Sequence, residues 1–288
     1  MSGPEPWFIT HAALAAVAIA LLAWRKPCRA SGWPGFEWPF SAPVAAAIAM
    51  GLMLAPAVGL GVVDAVAAAT GYATALHIDE MRMAAGVSAQ LIAIACVWRW
   101  RAALLGAAGA APRTQRLRAD RAVLMGVAGL LLAWPILQLL GALAGWVQQY
   151  LTEAPPPPVG HDELERMIAG SKDAWFVLSA GLAIVAAPLA EECLWRGACQ
   201  QAVKSAGVPA AGAVWVTALL FAFTHWPVLS PGAEAGGLVA LTVLGVALGV
   251  LAEKSGGIVA PFVAHALFNA ANLVMALMQS QPSGSPTP

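Results

Sequence analysis

Apolar residues gather along the chain in eight long stretches separated by short polar ones. They cover about residues 7–24, 43–70, 82–98, 122–147, 174–197, 209–226, 238–252 and 258–278. A helix crosses a bilayer in roughly 20 residues, so each stretch is a candidate span. The pattern predicts an all-α fold: a polytopic membrane helix bundle of about eight transmembrane helices. The second stretch is long and carries Asp64, and the seventh is short and contains glycine. Trp24, Trp98, Trp146 and Trp175 fall at stretch ends, where interfacial aromatics belong.

Between the fourth and fifth stretches the run APPPPVGHDELERMIAG predicts a stiff polyproline spacer, then a short helix capped near His161 and Asp162. It divides the chain into N-terminal transmembrane helices (1–150), a Pro-rich loop with a short helix (151–173) and a C-terminal helical core (174–278). Residues 279–288 read as a disordered tail. No internal repeat is visible.

Composition agrees with a membrane protein. Hydrophobic residues make up 60% of the 288, charged residues 10%, and mean hydropathy is +0.73; a soluble domain is about a quarter charged. The 15 basic and 15 acidic residues cancel, but they are not evenly spread. Loops after stretches one, three, five and seven hold 12 of the 15 Lys and Arg, leaving Arg82, Arg166 and Lys172 on the opposite side. The opposite loops carry most acids, including Asp79, Glu80, Glu153, Asp162, Glu163, Glu165 and Asp173. Positive-inside bias then predicts both termini outside. Residues 7–24, followed by Arg25, Lys26 and Arg29, form a first spanning helix rather than a signal peptide, whose charge would precede a shorter core. No basic cluster with interleaved aromatics occurs, which argues against a nucleic-acid partner; the expected surroundings are the lipid bilayer. Cys28, Cys96, Cys193 and Cys199 lack metal-type spacing, and three lie in or beside apolar runs as small hydrophobes.

The candidate chemistry lies wholly in the last four stretches. Glu191 and Glu192 stand side by side in APLAEECLWRG, where a carboxylate in hydrocarbon is costly and two adjacent ones repel. Glu192 and Arg196, four apart, share a helical face in the favourable order for an ion pair. Glu191 points about 100° away with no partner near in sequence, as a general base or acid could. Either glutamate could instead sit in the headgroups at a helix end. Phe221 and His225 share a face, as do His265 and Asn269, with Asn272 further along; a membrane histidine or asparagine often serves only to bond helices together. The turn signal Ala206-Gly207-Val208-Pro209 lies nearly midway between Glu191 and His225. An antiparallel hairpin would bring both about 25 Å from that turn, at one depth. His265 lies only about 8 residues past Gly257, so the last helix must begin deeper or tilt. There is no HExxH zinc motif and no GxSG serine elbow. Asp64 is the only aspartate within a stretch, so a paired-aspartate protease is excluded, and Asp64 reads as a packing or interfacial group.

These residues, in this order, resemble the CPBP family of intramembrane endopeptidases, also called the CAAX-protease and bacteriocin-processing (ABI) family. Its pattern of EExxxR, FxxxH and HxxxN reads here as Glu191-Glu192…Arg196, Phe221…His225 and His265…Asn269, with Trp195 where Phe is frequent. The resemblance covers about residues 174–275. It implies peptide-bond hydrolysis inside the membrane, with Glu191 and His225 activating a water and His265 and Asn269 stabilising the oxyanion. Glu192, Arg196 and Phe221 would support the site. A metal-free glutamate mechanism is favoured, although Glu191, His225 and His265 could serve as three ligands of a catalytic zinc. The substrate would be a membrane-associated protein or peptide. The Ala-rich, short-looped chain looks bacterial, and an inner-membrane location follows; signal-like, bacteriocin-leader or sorting-tail substrates then suit better than prenylated ones. A non-catalytic scaffold or immunity-type protein of the same fold is the alternative, and a transporter is disfavoured by the lack of paired broken helices.

Overall fold

A computed structural model describes residues 6–25, 40–71, 77–105, 117–153, 157, 160–170 and 172–279. Nine helices are seen among them. They are α1 (Pro6–Arg25), α2 (Ala42–Thr70), α3 (Ile78–Leu105), α4 (Ala119–Thr152), the short α5 (Asp162–Ala169), α6 (Ala174–Ser205), α7 (Ala210–Thr224), α8 (Glu234–Ser255) and α9 (Val259–Gln279). Every helix but α5 matches one apolar stretch, and seven are long and apolar enough to cross a membrane. The chain is a multi-pass, all-α membrane protein. Cys28, most of the polyproline spacer and residues 280–288 lie outside the described residues.

The bundle packs small residues inward and large ones outward. Its buried positions are largely alanines, such as Ala45, Ala190, Ala213, Ala218 and Ala260, while Leu54, Val58, Leu131 and Phe223 face out. Lipid tails are as apolar as leucine, so close backbone approach rather than withdrawal from water joins such helices. At the α7–α8 crossing a Cβ on Gly245 would stand 2.9 Å from Ala218 Cα, so nothing larger than glycine fits. Helix α4 packs against α1, α8 and α9, α2 pairs with α3, and α6 lies among α2, α7 and α9.

One expectation is revised, and two are met with added detail. The seventh span is not short: α8 runs Glu234–Ser255, starting among polar residues because Glu234 accepts hydrogen bonds from Gln148 Nε2 and Gly232 N. Helix α5 begins as expected, with His161 at its N-cap position, although no side chain bonds its first turn, and Asp162 Oδ1 accepts from Ser230 Oγ at 2.6 Å. The depth problem at His265 is resolved by the α8–α9 corner. Ser255 is buried, and its carbonyl accepts from Leu117 N of the chain leading into α4, so α9 begins inside the bundle. Asp64 pairs with Arg82 of α3, Oδ1 to Nη2 at 2.7 Å, in a half-exposed bridge away from the site.

Candidate active site

Helix α6 is not wound uniformly. Leu182–Ala186 and Cys193–Cys199 are π-helical and flank the glutamate pair. Pro188 accounts for the first: it lacks the N–H that Ile184 O would accept, and its ring would crowd that carbonyl. Wide turns of this kind recur at functional sites and loosen the regular backbone bonds. Here a side-chain amide serves one carbonyl in each. Asn269 Nδ2 donates to Ala183 O at 2.8 Å, and Gln201 Nε2 donates to Arg196 O at 3.2 Å.

The helix continues through Ser205, and Gly207 turns the chain at φ +92°, a conformation that side-chain-bearing residues rarely adopt. Helix α7 then returns to His225. There the backbone tightens: His225 N donates to Ala222 O, so the ring Nδ1 takes Phe221 O at 2.7 Å. A carbonyl only accepts, so Nδ1 carries the hydrogen, and Nε2 of the neutral ring is a bare acceptor.

Glu192 and Arg196 are fully buried, with Arg196 Nη1 donating to Glu192 Oε1 at 3.0 Å and Nη2 to Gly245 O at 3.1 Å. His265 Nδ1 donates to the same Glu192 oxygen at 2.8 Å. Its Nε2 is therefore also an acceptor when the ring is neutral. Phe221 stands between these groups. Its ring lies 4.6 Å from His225 and 5.7 Å from His265, with the Arg196 guanidinium 5.0 Å from its centre and Trp195 edge-on at 6.0 Å. Trp195, the departure from the family pattern, is thus a packing partner of Phe221.

Glu191 Oε2 faces both imidazoles, 3.7 Å from His265 Nε2 and 4.0 Å from His225 Nε2. That oxygen is shielded from solvent and accepts no hydrogen bond from the protein. Three acceptor atoms thus converge with no donor among them. A water supplies two hydrogens, enough for two of them: at hydrogen-bond lengths near 2.8 Å it bridges acceptors roughly 4–4.5 Å apart, which the 4.0 Å between Glu191 Oε2 and His225 Nε2 meets. Zinc would suit the donor chemistry, since both rings use Nδ1 for an oxygen and leave Nε2 free. The spacing is wider than the roughly 3.3 Å between ligand atoms held 2.0–2.1 Å from a tetrahedral ion. Among the described residues no group of three or more His, Cys, Asp or Glu side chains is placed to hold a metal. Glu191, His225 and His265 as arranged therefore do not fit zinc.

Residues 173–271 match the model of the Rce1-like family of type II CAAX prenyl endopeptidases. The matched segment contains Glu191, Glu192, Arg196, Phe221, His225, His265 and Asn269, and it stops short of α1–α5. The family is one of proteases, and its resemblance stated from the motifs alone is upheld. No curated protein and no solved structure matches the chain.

Motif reading foresaw the carboxylates and histidines but missed Gly245 and Gln201. The first acts through its carbonyl, which leaves no trace in a side-chain pattern. Gln201 could have been suspected as an amide five residues past Arg196.

Proposed function

We propose that this protein is an intramembrane endopeptidase that hydrolyses peptide bonds of membrane-associated or lipid-proximal protein substrates with a water activated by Glu191 and His225. The carrying observation is the convergence of Glu191 Oε2 and His225 Nε2, two acceptors that one water's hydrogens can bridge, beside His265 Nε2.

Water attached to Glu191 and His225 attacks the carbonyl carbon, forming the new C–O bond as its proton passes to Glu191 Oε2. The carbonyl oxygen becomes the oxyanion. Asn269 can offer its second amide hydrogen to it, and His265 can donate from Nε2 when it has first taken a proton from solvent, which it keeps through the cycle. Glu192 at Nδ1 supports the imidazolium so formed, as a carboxylate does behind a catalytic histidine. Collapse breaks the C–N bond, and Glu191 returns the proton to the leaving amine. No part of this route uses a metal.

The short loops and alanine-rich helices support a bacterial cell membrane, and with it a leader, signal-like or sorting-tail substrate. The test compares protein termini in membranes from cells carrying wild-type and Glu191→Ala enzyme. Termini present only with wild type support the reading and identify the cleaved bonds. An identical set of termini, with both proteins inserted, overturns it in favour of a non-catalytic scaffold.

A further inference from the structure

Outside the matched segment, one shielded polar atom belongs to a residue bridged to the loop that follows His225. His161 precedes α5, and its backbone is pinned to the loop that follows His225. Ser230 N donates to Gly160 O at 3.2 Å, His161 forms an antiparallel bridge with Leu229, and Ser230 Oγ donates to Asp162 Oδ1 at 2.6 Å. Leu229 is four residues beyond His225, so the bridge sets the His161 ring near the end of α7. His161 Nδ1 is shielded from solvent and has no hydrogen-bond partner. The charged and titratable groups that act on the ring are His225, Asp162, Glu191 and Arg166, the first and third of which belong to the site. Burial, aided by His225, holds the ring uncharged down to about pH 4.

A buried ring nitrogen without a partner is unfavourable until something arrives to bond it. An uncharged imidazole brings no countercharge, so an ionic ligand is a poor match. A peptide backbone offers a donor and an acceptor at every residue and is what the site must hold in place. We propose that His161 is a fifth polar residue of the hydrolytic centre, an uncharged hydrogen-bonding contact for the substrate's peptide backbone beside His225. This rests on the endopeptidase reading above. It also gives the segment before α6 a part in substrate binding.

Two measurements on the full chain test it. With five histidines in the sequence, the ring signals of ¹³C-histidine-labelled protein in micelles can be assigned by single substitutions. The His161 signals should move in Glu191→Gln and stay flat in wild type from pH 8 to pH 5. The second uses a peptide spanning a terminus that is lost in Glu191→Ala membranes. His161→Phe, which keeps the bulk and removes the nitrogens, should lower kcat/KM about tenfold, mainly through KM, the effect of one lost hydrogen bond. His161→Asn should retain most of it, with both variants melting near wild type.

His161 signals indifferent to Glu191→Gln would overturn the proposal. So would unchanged kcat/KM in His161→Phe, or equal losses of activity and melting temperature in both variants, which would mark a purely structural role. If termini depend on Glu191 but the variants cleave normally, only this proposal falls. If none depends on Glu191, the endopeptidase reading falls first and takes this one with it.

Discussion

Glu192 Oε1 lies 2.8 Å from His265 Nδ1, joining two helices across 73 residues of chain, and the same oxygen receives Arg196 at 3.0 Å. One oxygen thus fixes the ring orientation of a site histidine and neutralises a buried guanidinium. Removing it strands Arg196 in the core. Breaking a buried pair from one side costs about 3–5 kcal/mol. Glu192→Ala is therefore expected to unfold at markedly lower temperature in detergent and to express poorly. The double variant Glu192→Leu/Arg196→Met should recover much of the stability without recovering cleavage, because His265 has still lost its carboxylate. Thermal unfolding and a cleavage assay on the same preparations check both halves.

Glu191 behaves in the opposite way. Its Oε2 bonds nothing in the protein, so Glu191→Gln removes little that holds the fold. The melting temperature should stay within a few degrees of wild type. Loss of the general base should lower kcat by about 10²–10⁴-fold. Near-normal turnover in a folded Glu191→Gln protein would remove Glu191 from the reaction.

The spacing of Glu191, His225 and His265 gives a prediction about metal. Purified active enzyme should carry much less than one zinc per chain by elemental analysis. Activity should survive a chelator that strips structural zinc sites. One tightly held zinc per chain together with silencing by the chelator, reversed by zinc alone, would replace the water route with a metal one.

A pH prediction follows from His161. In the unfolded chain an ordinary histidine takes its proton near 6.5, whereas in the folded protein burial delays it to about 4. Between those values the unfolded state binds the proton and the folded state does not, so stability falls as pH drops from 6.5 to 4 and levels off below. The shift corresponds to about 3 kcal/mol at most. His161→Asn should flatten that part of the stability-versus-pH curve measured by denaturation in micelles. An unchanged curve would show that His161 ionises freely.

Much of this was legible in the sequence because membrane helices announce themselves by length. The four-residue spacings Glu192–Arg196 and Phe221–His225 translate directly into shared helix faces, and the Gly207 turn set the depth of the hairpin. The depth of His265 was not legible. It depends on the buried Ser255 corner and its bond to Leu117, a contact between segments far apart in sequence. Nor was the tautomer of each imidazole. That is set by the carbonyl of Phe221 and by one oxygen of Glu192, and no residue pattern records which lone pair is used.

The wide turns of α6 have a consequence for how relatives of this chain should be compared. A π stretch holds one residue beyond what ordinary α winding needs, so a chain one residue shorter within 193–199 would still form an unbroken rod. Its two ends would also keep nearly their present aim, because the wide turn absorbs the extra residue without adding the roughly 100° that a residue adds in α winding. Glu191 and the Gly207 hairpin lie on opposite sides of that stretch. A single-codon deletion there would leave the carboxylate facing its histidines, whereas the same deletion in the α-wound turns Gln200–Ser205 would swing the hairpin by about 100°.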